Sequence, residues 1–477
     1  DELCVSHDLP LRIGVEKPRL WSAETPALYT ATLSLLDGEG RTVQSEGFRV
    51  GFRSSKITDG LLCVNHRPIT VCGVNRHEHD GRAGKVISEE SMLRDIELMK
   101  AANINACRCA HYPNHPRWYQ LCDEHGIYVV DEANIESHGE SFLPVMPPMP
   151  TSRLPCDPDW EDAYRARISR MVARDKNHAC IILWSLGNEA GYGPVLKEMR
   201  EWIRTHDRDD RPVQYEPCGS PQECSDVFCP MYPCEVQFSE LARAIRDPAE
   251  TRPIIMCEYS HAMGNSNGNL HEYWETVRSE RQVQGGFIWD WVDQGVWQRE
   301  RKDEDGSDGR GLCSGGVGAA HWAYGGDFGD PVHDAQFCIN GLVWPDRTPH
   351  PALEEVRHLY APVAVRELGQ RGDEWEIEVE NLSSFVTLSW LAFDWELIGD
   401  AGVIATGEVQ LGSSSGAAPG STAAATFRTP SDRPPSFASY VTINARCRES
   451  RRLVKATQFR AKPAAPTTNV PSVSAPR

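Results

Sequence analysis

The run CIILWSLGNEAG (180–191) is apolar until it reaches Asn188 and Glu189, as expected of a buried strand that ends at a pocket. Other runs change from apolar to polar in the same way: ITVCGVNRHEH (69–79), INACRCAHYPN (104–114), GIYVVDEANIESHG (126–139), PVQYEPCG (212–219), DVFCPMYP (226–233), PIIMCEYSH (253–261) and GGFIWDWVDQG (285–295). Near-continuous apolar strands are typical of parallel sheets covered on both faces. Eight such runs over about 230 residues predict an α/β fold with a (β/α)8 TIM barrel.

Helical patterns separate most of these runs. Ser88 is placed to cap a helix with apolar residues at three- and four-residue spacing, and Asp157 with Pro158 opens a second helix. Similar patterns predict helices at 194–206, 237–247 and 267–281. Residues 220–225 leave no room for a full helix, so we expect one irregular unit between the fifth and sixth strands.

The flanking segments alternate apolar and polar residues. YTATLSLLDGEGRTV (29–43), with Leu33 and Leu35 on its apolar face, and EWEIEVEN (374–381) predict half-buried antiparallel strands. The predicted domains are a partial immunoglobulin-like β-sandwich at 1–55, the (β/α)8 barrel at 56–355, a second immunoglobulin-like β-sandwich at 360–460, and a Pro/Ala-rich tail or linker at 461–477. The first is shorter than the roughly 100 residues of such a sandwich, so we expect the chain to begin partway through a domain.

Composition excludes several classes of partner. The 477 residues carry a formal net charge of -19, which argues against binding to nucleic acid or to an anionic membrane surface. No apolar run approaches the roughly 20 residues of a membrane span. The 16 cysteines never form C-x-x-C, and several lie inside apolar runs, which predicts buried free thiols, a reducing compartment and hence a cytoplasmic location.

Two glutamates carry the predicted chemistry. Glu189 follows the fourth strand and Glu258 follows the seventh, and active sites of such barrels lie at the C-terminal ends of the strands. Glycosidic bond cleavage needs paired carboxylates, one to protonate the leaving oxygen and one to attack the anomeric carbon. A lone glutamate at a strand end is about as often a solvated cap or an ion-pair member, but two across one barrel favour catalysis.

Further polar and aromatic residues end the same strands: Arg108, His111, Asp131, Glu132, Glu136, His138, Tyr232, Trp289, Asp290 and Trp291. An aromatic ring beside carboxylates offers an apolar face to a sugar ring. Arg108 is equally well explained by pairing with a core acid, and Trp289 by barrel packing. Glu136 and His138, with Glu189 nearby, are candidate ligands of a divalent cation, although a simple Glu–His hydrogen bond is the commoner arrangement.

Several motifs resemble a known family. They are GVNRHEH, RCAHYPNHPRWYQLCDEHGIYVVDEANIESHG, IILWSLGNEAG, PVQYE, CPMY, CEYSHAMGNS, GGFIWDWVDQ, YGGDFGD, FCINGLV and DRTPHPAL. Together they closely resemble the β-galactosidases of glycoside hydrolase family two, from about residue 15 to about residue 460. The resemblance implies a retaining enzyme that cleaves terminal β-D-galactose from β-galactosides such as lactose by double displacement.

The resemblance also implies roles for individual residues. Glu189 becomes the acid/base and Glu258 the nucleophile. Magnesium, or manganese, is implied on Glu136, His138 and Glu189, and sodium on the Phe337 carbonyl and the Asn340 side chain. Sugar contacts are implied for His77, His111, Asn188, Tyr232, His261, Trp289 and Asn340.

The sequence departs from the family pattern and leaves alternatives open. The family's N-terminal jelly-roll domain, which supplies sodium and sugar ligands, and its large C-terminal sandwich have no counterpart in these residues. Residues 300–320, charged and then Gly-rich, indicate a solvated insertion that could crowd the site. The alternatives are a relative acting on β-glucuronides or β-mannosides, which CEYSHAMGNS disfavours, and a non-catalytic sugar-binding fragment. Homo-oligomerisation also stays open.

Overall fold

A computed structural model describes residues 13–139, 153–216, 220–233, 238–298, 320–400, 402–412, 416–430 and 440–461. The predicted insertion and the predicted tail therefore lie outside the described residues, apart from residues 320 and 461 at their edges. Five strands precede the barrel: β1 (Tyr29–Leu36), β2 (Thr42–Val50), β3 (Ser55–Thr58), β4 (Leu61–Val64) and β5 (Arg67–Pro68). β1 and β2 form an antiparallel hairpin, and β3, β4 and β5 form a small antiparallel sheet.

The parallel sheet confirms the predicted barrel. Its strands are β6 (Val71–Asn75), β7 (Ala106–Arg108), β8 (Tyr128–Glu132), β9 (Ile181–Ser185), β10 (Val213–Gln214), β11 (Ile254–Tyr259) and β12 (Val283–Ile288). They pair in the order β10-β9-β8-β7-β6-β12-β11. Every residue of these seven strands is buried, which is the burial pattern of a sheet covered on both faces.

The predicted sixth strand is an irregular segment rather than a regular strand. Phe228 and Met231 form isolated parallel bridges to β11, and Asp226 donates its backbone N–H to Val213 O of β10 at 2.7 Å. The segment therefore lies between β10 and β11, where it closes the ring. Pro230 has no N–H to donate to a ladder, which explains why regular pairing fails here.

Helices alternate with these strands as predicted. They are α1 (Glu89–Ala101), α2 (Pro116–His125), α3 (Glu161–Asp175), α4 (Pro194–His206), α5 (Phe238–Arg246), α6 (Leu270–Ser279) and α7 (Ala352–Leu359). Ser88 caps α1, with its hydroxyl accepting the Ser91 N–H at 3.1 Å. Asp157 caps a short 3-10 turn that leads into α3. α2 and α7 were not among the predicted helices.

A β-sandwich follows the barrel. After the short pair β13 (Val296–Gln298) and β14 (His321–Ala323), its strands are β15 (Val363–Arg371), β16 (Glu374–Asn381), β17 (Leu391–Gly399), β18 (Gly402–Val409), β19 (Thr422–Arg428), β20 (Tyr440–Cys447) and β21 (Leu453–Arg460). They form two antiparallel sheets, β15-β16-β19 and β18-β17-β20-β21. Trp375, Ile377 and Val379 lie in a hydrophobic core separate from that of the barrel, as their alternation predicts.

The prediction for the first hairpin was wrong in one respect. Leu33 and Leu35 of β1 are both 61% exposed, although their alternation predicted a half-buried strand. An alternating pattern buries one face only where a second layer covers it. Within the part of the chain that the structure describes, no second sheet covers this hairpin.

The described cysteines agree with the prediction of free thiols. All twelve cysteines among the described residues are free, and nine of them are buried. None of the described helices is long and apolar enough to span a membrane.

Candidate active site

Arg108, the last residue of β7, connects the ends of several barrel strands. Its buried guanidinium donates from Nε to Glu132 Oε2 at 2.7 Å, from Nη1 to Glu258 Oε1 at 2.8 Å, and from Nη2 to Asn188 Oδ1 at 2.9 Å. A fourth bond reaches Asn75 Oδ1 at 2.9 Å. One side chain thus fixes groups from β6, β8 and β11 and from the loop after β9, which explains a buried arginine inside the barrel.

Electrostatics keep this cluster charged. Burial alone would lower the pKa of Arg108, but the carboxylates of Glu132 and Glu258 hold that pKa well above its usual value. Burial would likewise raise the pKa of Glu132, yet Arg108 and then His111 bring it below its usual value. Arg108 and Glu132 therefore meet as fixed opposite charges at the mouth of the barrel.

Glu258 is buried at the end of β11 and has two side-chain donors. Besides Arg108, the Tyr232 hydroxyl hydrogen-bonds to its carboxylate. Burial, together with the charge of Glu258, raises the pKa of Tyr232 above its usual value, so this hydroxyl keeps its proton. The Tyr232 N–H also donates to the Glu258 carbonyl oxygen at 2.7 Å. These contacts fix the position of the carboxylate.

Glu189 lies on a strained turn after β9. Its backbone has a φ of 40°, in the left-handed region that residues other than glycine rarely adopt. Gly187 precedes it with a φ of 140°, and a Cβ there would lie 2.5 Å from the Ile135 carbonyl oxygen. The Gly-Asn-Glu sequence therefore permits the turn, and the Glu189 carboxylate, 30% exposed, contacts His138 Nδ1.

Three aromatic side chains line one wall of the site. The rings of His111 and Trp289 stack at a centroid distance of 5.0 Å, and His77 meets both rings edge-on at 5.4 Å. His111 Nδ1 donates to Glu132 Oε1 at 2.8 Å, which fixes its orientation. Burial, and then the neighbouring His111, lowers the pKa of His77 well below its usual value, so this ring is neutral.

A second group lies near the end of β12. The ring of His261 lies 5.8 Å from that of Tyr232 and 5.9 Å from that of Phe337. Asn340 donates from Nδ2 to the Phe337 carbonyl oxygen at 2.9 Å, while its buried Oδ1 has no hydrogen-bond partner. The buried, unsatisfied Oδ1 is the type of oxygen that a hard cation such as the predicted sodium takes, whereas the Phe337 carbonyl oxygen is occupied by Asn340 Nδ2.

The predicted magnesium ligands are near neighbours. His138 hydrogen-bonds to Glu189, and Glu136 Oε1 accepts from Asn188 Nδ2 at 3.3 Å. Burial, opposed by His111 and reinforced by Glu189, raises the pKa of Glu136. The donor types fit a hard divalent cation. However, among the residues that the structure describes, no group of three His, Cys, Asp or Glu side chains is arranged to hold a metal ion.

Sequence reasoning missed Glu216, which follows β10. Its buried Oε1 accepts the Glu189 N–H at 2.7 Å, and its Oε2 has no hydrogen-bond partner. Burial raises its pKa to about 8, with Arg108 opposing and Glu132 reinforcing the shift. The signal was available in PVQYE, an apolar run that ends on a glutamate as the fourth and seventh strands do.

Two of the residues singled out at strand ends lie outside the site. Asp131 accepts from the Tyr119 hydroxyl of α2 at 2.6 Å, and Trp291 donates to Asp95 of α1 at 2.9 Å. Successive side chains of a strand point to opposite faces, so Asp131 points toward the helices while Glu132, the next residue of β8, points into the pocket. Trp291 lies beyond the end of β12, where this alternation does not apply.

Comparison with known proteins gives the family. The description "Glycosyl hydrolases family 2, TIM barrel domain" matches residues 55–365. The chain belongs to the family 2 glycosyl hydrolases. A further "Glycosyl hydrolases family 2" description matches residues 3–53, and "Beta-galactosidase, domain 4" matches residues 377–461.

Curated relatives of this family 2 chain are named β-galactosidases. One from Photobacterium profundum is 46% identical over 407 residues, covering 84% of this chain and 37% of the relative. One from Pectobacterium atrosepticum is 50% identical over 367 residues, covering 75% and 33%. The chain therefore spans about a third of the length of these relatives.

Solved structures show the same fold at lower identity. A β-glucuronidase from Ruminococcus gnavus in complex with D-glucuronic acid aligns with a TM-score of 0.52 and 22% identity. The alignment covers 72% of this chain and 57% of that chain. At this identity the likeness supports the fold alone.

Proposed function

We propose that this protein is a retaining glycoside hydrolase that cleaves terminal β-D-galactose from β-galactosides such as lactose by double displacement. The observation that supports this most is the position of Glu258. Its buried carboxylate is held by Arg108 and Tyr232 at the mouth of the barrel, and Arg108 also binds Asn188, next to Glu189. Two carboxyl groups at strand ends of one barrel mouth are what this reaction requires.

In the first step, Glu258 attacks the anomeric carbon while Glu189 transfers a proton to the departing glycosidic oxygen. The glycosyl–enzyme ester that forms is then hydrolysed by water, from which Glu189 takes a proton as Glu258 leaves. The hydrogen bonds from Arg108 and Tyr232 orient the attacking oxygen of Glu258 and receive it again when the ester breaks. His138, in contact with Glu189, orients the acid/base.

The remaining residues bind the sugar in this proposal. The stacked rings of Trp289 and His111, with His77 beside them, offer a flat apolar face and polar edges to a pyranose ring. Sugar hydroxyls would be bound by polar atoms of these residues: His77, His111, Asn188, Tyr232, His261 and Asn340. Trp289 supplies the apolar contact.

Galactose is favoured over the alternative sugars by the relatives. Those named β-galactosidases reach 46–50% identity, whereas the β-glucuronidase structure has only 22% identity. A non-catalytic sugar-binding role would not require a carboxylate held by two donors beside a second carboxylate. The twelve free cysteines among the described residues also support a cytoplasmic location.

Two metals belong to the proposal. Magnesium or manganese would be held by Glu136, His138 and Glu189 once these side chains close around it, since as described they form no metal-binding group. The ion would add positive charge beside the acid/base. Sodium would be held by the Phe337 carbonyl and Asn340 Oδ1, the buried oxygen without a partner.

The test compares nitrophenyl β-galactoside, β-glucuronide and β-mannoside as substrates of the full chain. We expect turnover of the galactoside to exceed that of the others, and NMR of the first-formed sugar to show the β-anomer. Glu258→Gln should abolish this activity, and Glu90→Gln, a matched change on the exposed face of α1, should not. Preferred turnover of another sugar, or an inverted product, contradicts the proposal.

A further inference from the structure

A cavity of about 1070 Å³ lies between the barrel and the C-terminal sandwich. Its lining includes Thr70, Asn105 and Tyr128, which lie at the N-terminal ends of β6, β7 and β8. Glu189 and Glu258 lie at the C-terminal ends of the barrel strands, so this junction cavity is separate from the candidate active site. Its size suits a small-molecule ligand, since such sites measure about 300–1,000 Å³.

The junction cavity is positively charged in a chain whose net charge is -19. Five cationic side chains line it against two carboxylates: Lys100, Arg278, Arg366, Arg452 and Lys455 against Glu24 and Glu380. Glu380 pairs with Arg366 at 2.6 Å. Glu24 accepts three backbone N–H groups from residues 384–386. Within the described residues, the other four cations form no ion pair.

These cations do have a structural role, but it leaves a charge surplus. Lys455 Nζ donates to the His358 carbonyl at the end of α7 at 3.0 Å, and Arg452 Nη1 donates to the Ala101 carbonyl at the end of α1 at 2.8 Å. A helix C-terminus carries only about half a negative charge. Burial, reinforced by Arg278, lowers the pKa of Lys455 to about 8, as expected of a cation without a full counter-charge.

Three residues that line the same cavity each carry a buried, unsatisfied hydrogen-bond donor. The Tyr128 hydroxyl, the Trp390 indole N–H and the Thr457 hydroxyl are buried atoms without a hydrogen-bond partner, and all three residues line the cavity. Tyr128 is only 2% exposed. Buried donors are nearly always satisfied in native proteins, and a cavity ligand with acceptor oxygens would satisfy these three after small shifts of their side chains.

One kind of ligand, an anion with several acceptor oxygens, would satisfy both the unpaired cations and the unsatisfied donors. We propose that the junction cavity binds a small, multiply charged oxyanion of the phosphate or phosphate-ester class. Its oxygens accept from Tyr128, Trp390 and Thr457, and its charge is balanced by Lys100, Arg452 and Lys455. The site is too small for a nucleic-acid duplex, which agrees with the acidic surface of the chain.

Isothermal titration calorimetry of the full chain tests the proposal, with inorganic pyrophosphate as the probe and sodium chloride at matched ionic strength as the blank. We expect one saturable site. A hexose phosphate and citrate serve as further arms that distinguish phosphate esters from polycarboxylates. Tighter binding of citrate than of either phosphate would overturn the assigned ligand class.

The variants separate the cavity from the protein surface. Lys455→Gln should weaken pyrophosphate binding at least about tenfold, or about 1.4 kcal/mol. Tyr128→Phe should weaken it several-fold, and Lys197→Gln, on the exposed face of α4, should leave it unchanged. If Lys455→Gln does not fold, Tyr128→Phe decides. If no saturable binding is found, or if Tyr128→Phe binds pyrophosphate as tightly as the parent, the site holds an adventitious ion only and the proposal is overturned. Both measurements follow binding and are independent of hydrolytic activity.

Discussion

Arg108 Nη1 and Glu258 Oε1 lie 2.8 Å apart inside the barrel, although the two residues are 150 positions apart in the chain. The same guanidinium holds Glu132 and Asn188, so the attacking carboxylate and the residue beside the proton donor share one anchor. The relative position of Glu189 and Glu258 therefore depends on Arg108, which takes no part in the chemical steps.

Replacing Arg108 should lower the stability of the protein. Arg108→Met leaves Glu132 and Glu258 as buried carboxylates without their cation, which should lower the free energy of unfolding by about 3–5 kcal/mol. Urea denaturation measures this change. Arg94→Met, on the exposed face of α1, serves as the control and should change it by less than about 0.5 kcal/mol. Equal stabilities of the two variants would refute the role of Arg108 as anchor.

Glu258→Gln should lower kcat for an aryl β-galactoside by at least about a thousandfold, because an amide does not attack the anomeric carbon. A 2-deoxy-2-fluoro galactoside with a good leaving group should label the peptide that contains Glu258 in the parent and not in this variant. Mass spectrometry of the digested protein shows the label. A label on another residue would reassign the nucleophile.

Glu189→Gln should affect substrates according to their leaving groups. General acid catalysis contributes about 100- to 10,000-fold, so cleavage of an alkyl galactoside should fall by that factor. The first step with a dinitrophenyl galactoside needs no proton and should change little, as pre-steady-state release of the phenol will show. An equal loss with both substrates would contradict the acid/base role.

Chelation tests the metal proposal. EDTA should lower activity, and added magnesium or manganese should restore it, because charge beside Glu189 would be lost and regained. Glu136→Gln should raise the metal concentration needed for half-maximal activity. An enzyme that keeps full activity after exhaustive dialysis against EDTA would have no such site.

Asp207 predicts a pH-dependent contribution to stability beneath β9. It accepts from Arg211 Nε at 2.8 Å and from Trp184 Nε1 at 2.9 Å. Although burial opposes this, hydrogen bonds from Arg211 lower its pKa from 3.8 to about 2. A lowered carboxyl pKa stabilises the fold above the unfolded-state pKa, and that contribution disappears as the pH falls through the folded-state pKa.

Asp207→Asn should therefore lower the free energy of unfolding by about 2 kcal/mol at pH 7, and the difference from the parent should shrink between pH 4 and pH 2. Urea denaturation at several pH values gives this difference. Asp330→Asn, an exposed control, should show no such trend. If the difference in unfolding free energy between Asp207→Asn and the parent does not change with pH, the pKa of Asp207 is not lowered in the folded protein.

The amino-acid sequence determined the elements and the residues at their ends. Helix α4 occupies the predicted 194–206, and Ser88 caps α1 as predicted, because capping and apolar spacing are local properties. Apolar runs that end on Glu189 and Glu258 likewise marked strands that lead to a pocket. Residue patterns of this kind need no knowledge of distant contacts.

The tertiary structure decided what those patterns leave open. Arg108 bonding Glu258, and Glu216 accepting the N–H of Glu189, depend on closure of the ring, which brings together residues distant in sequence. Exposure of Leu33 also depends on whether another layer covers its face, which alternation alone does not specify. Local periodicity determines which face of a strand a residue occupies. Only tertiary packing determines whether that face is covered by another layer or exposed to solvent.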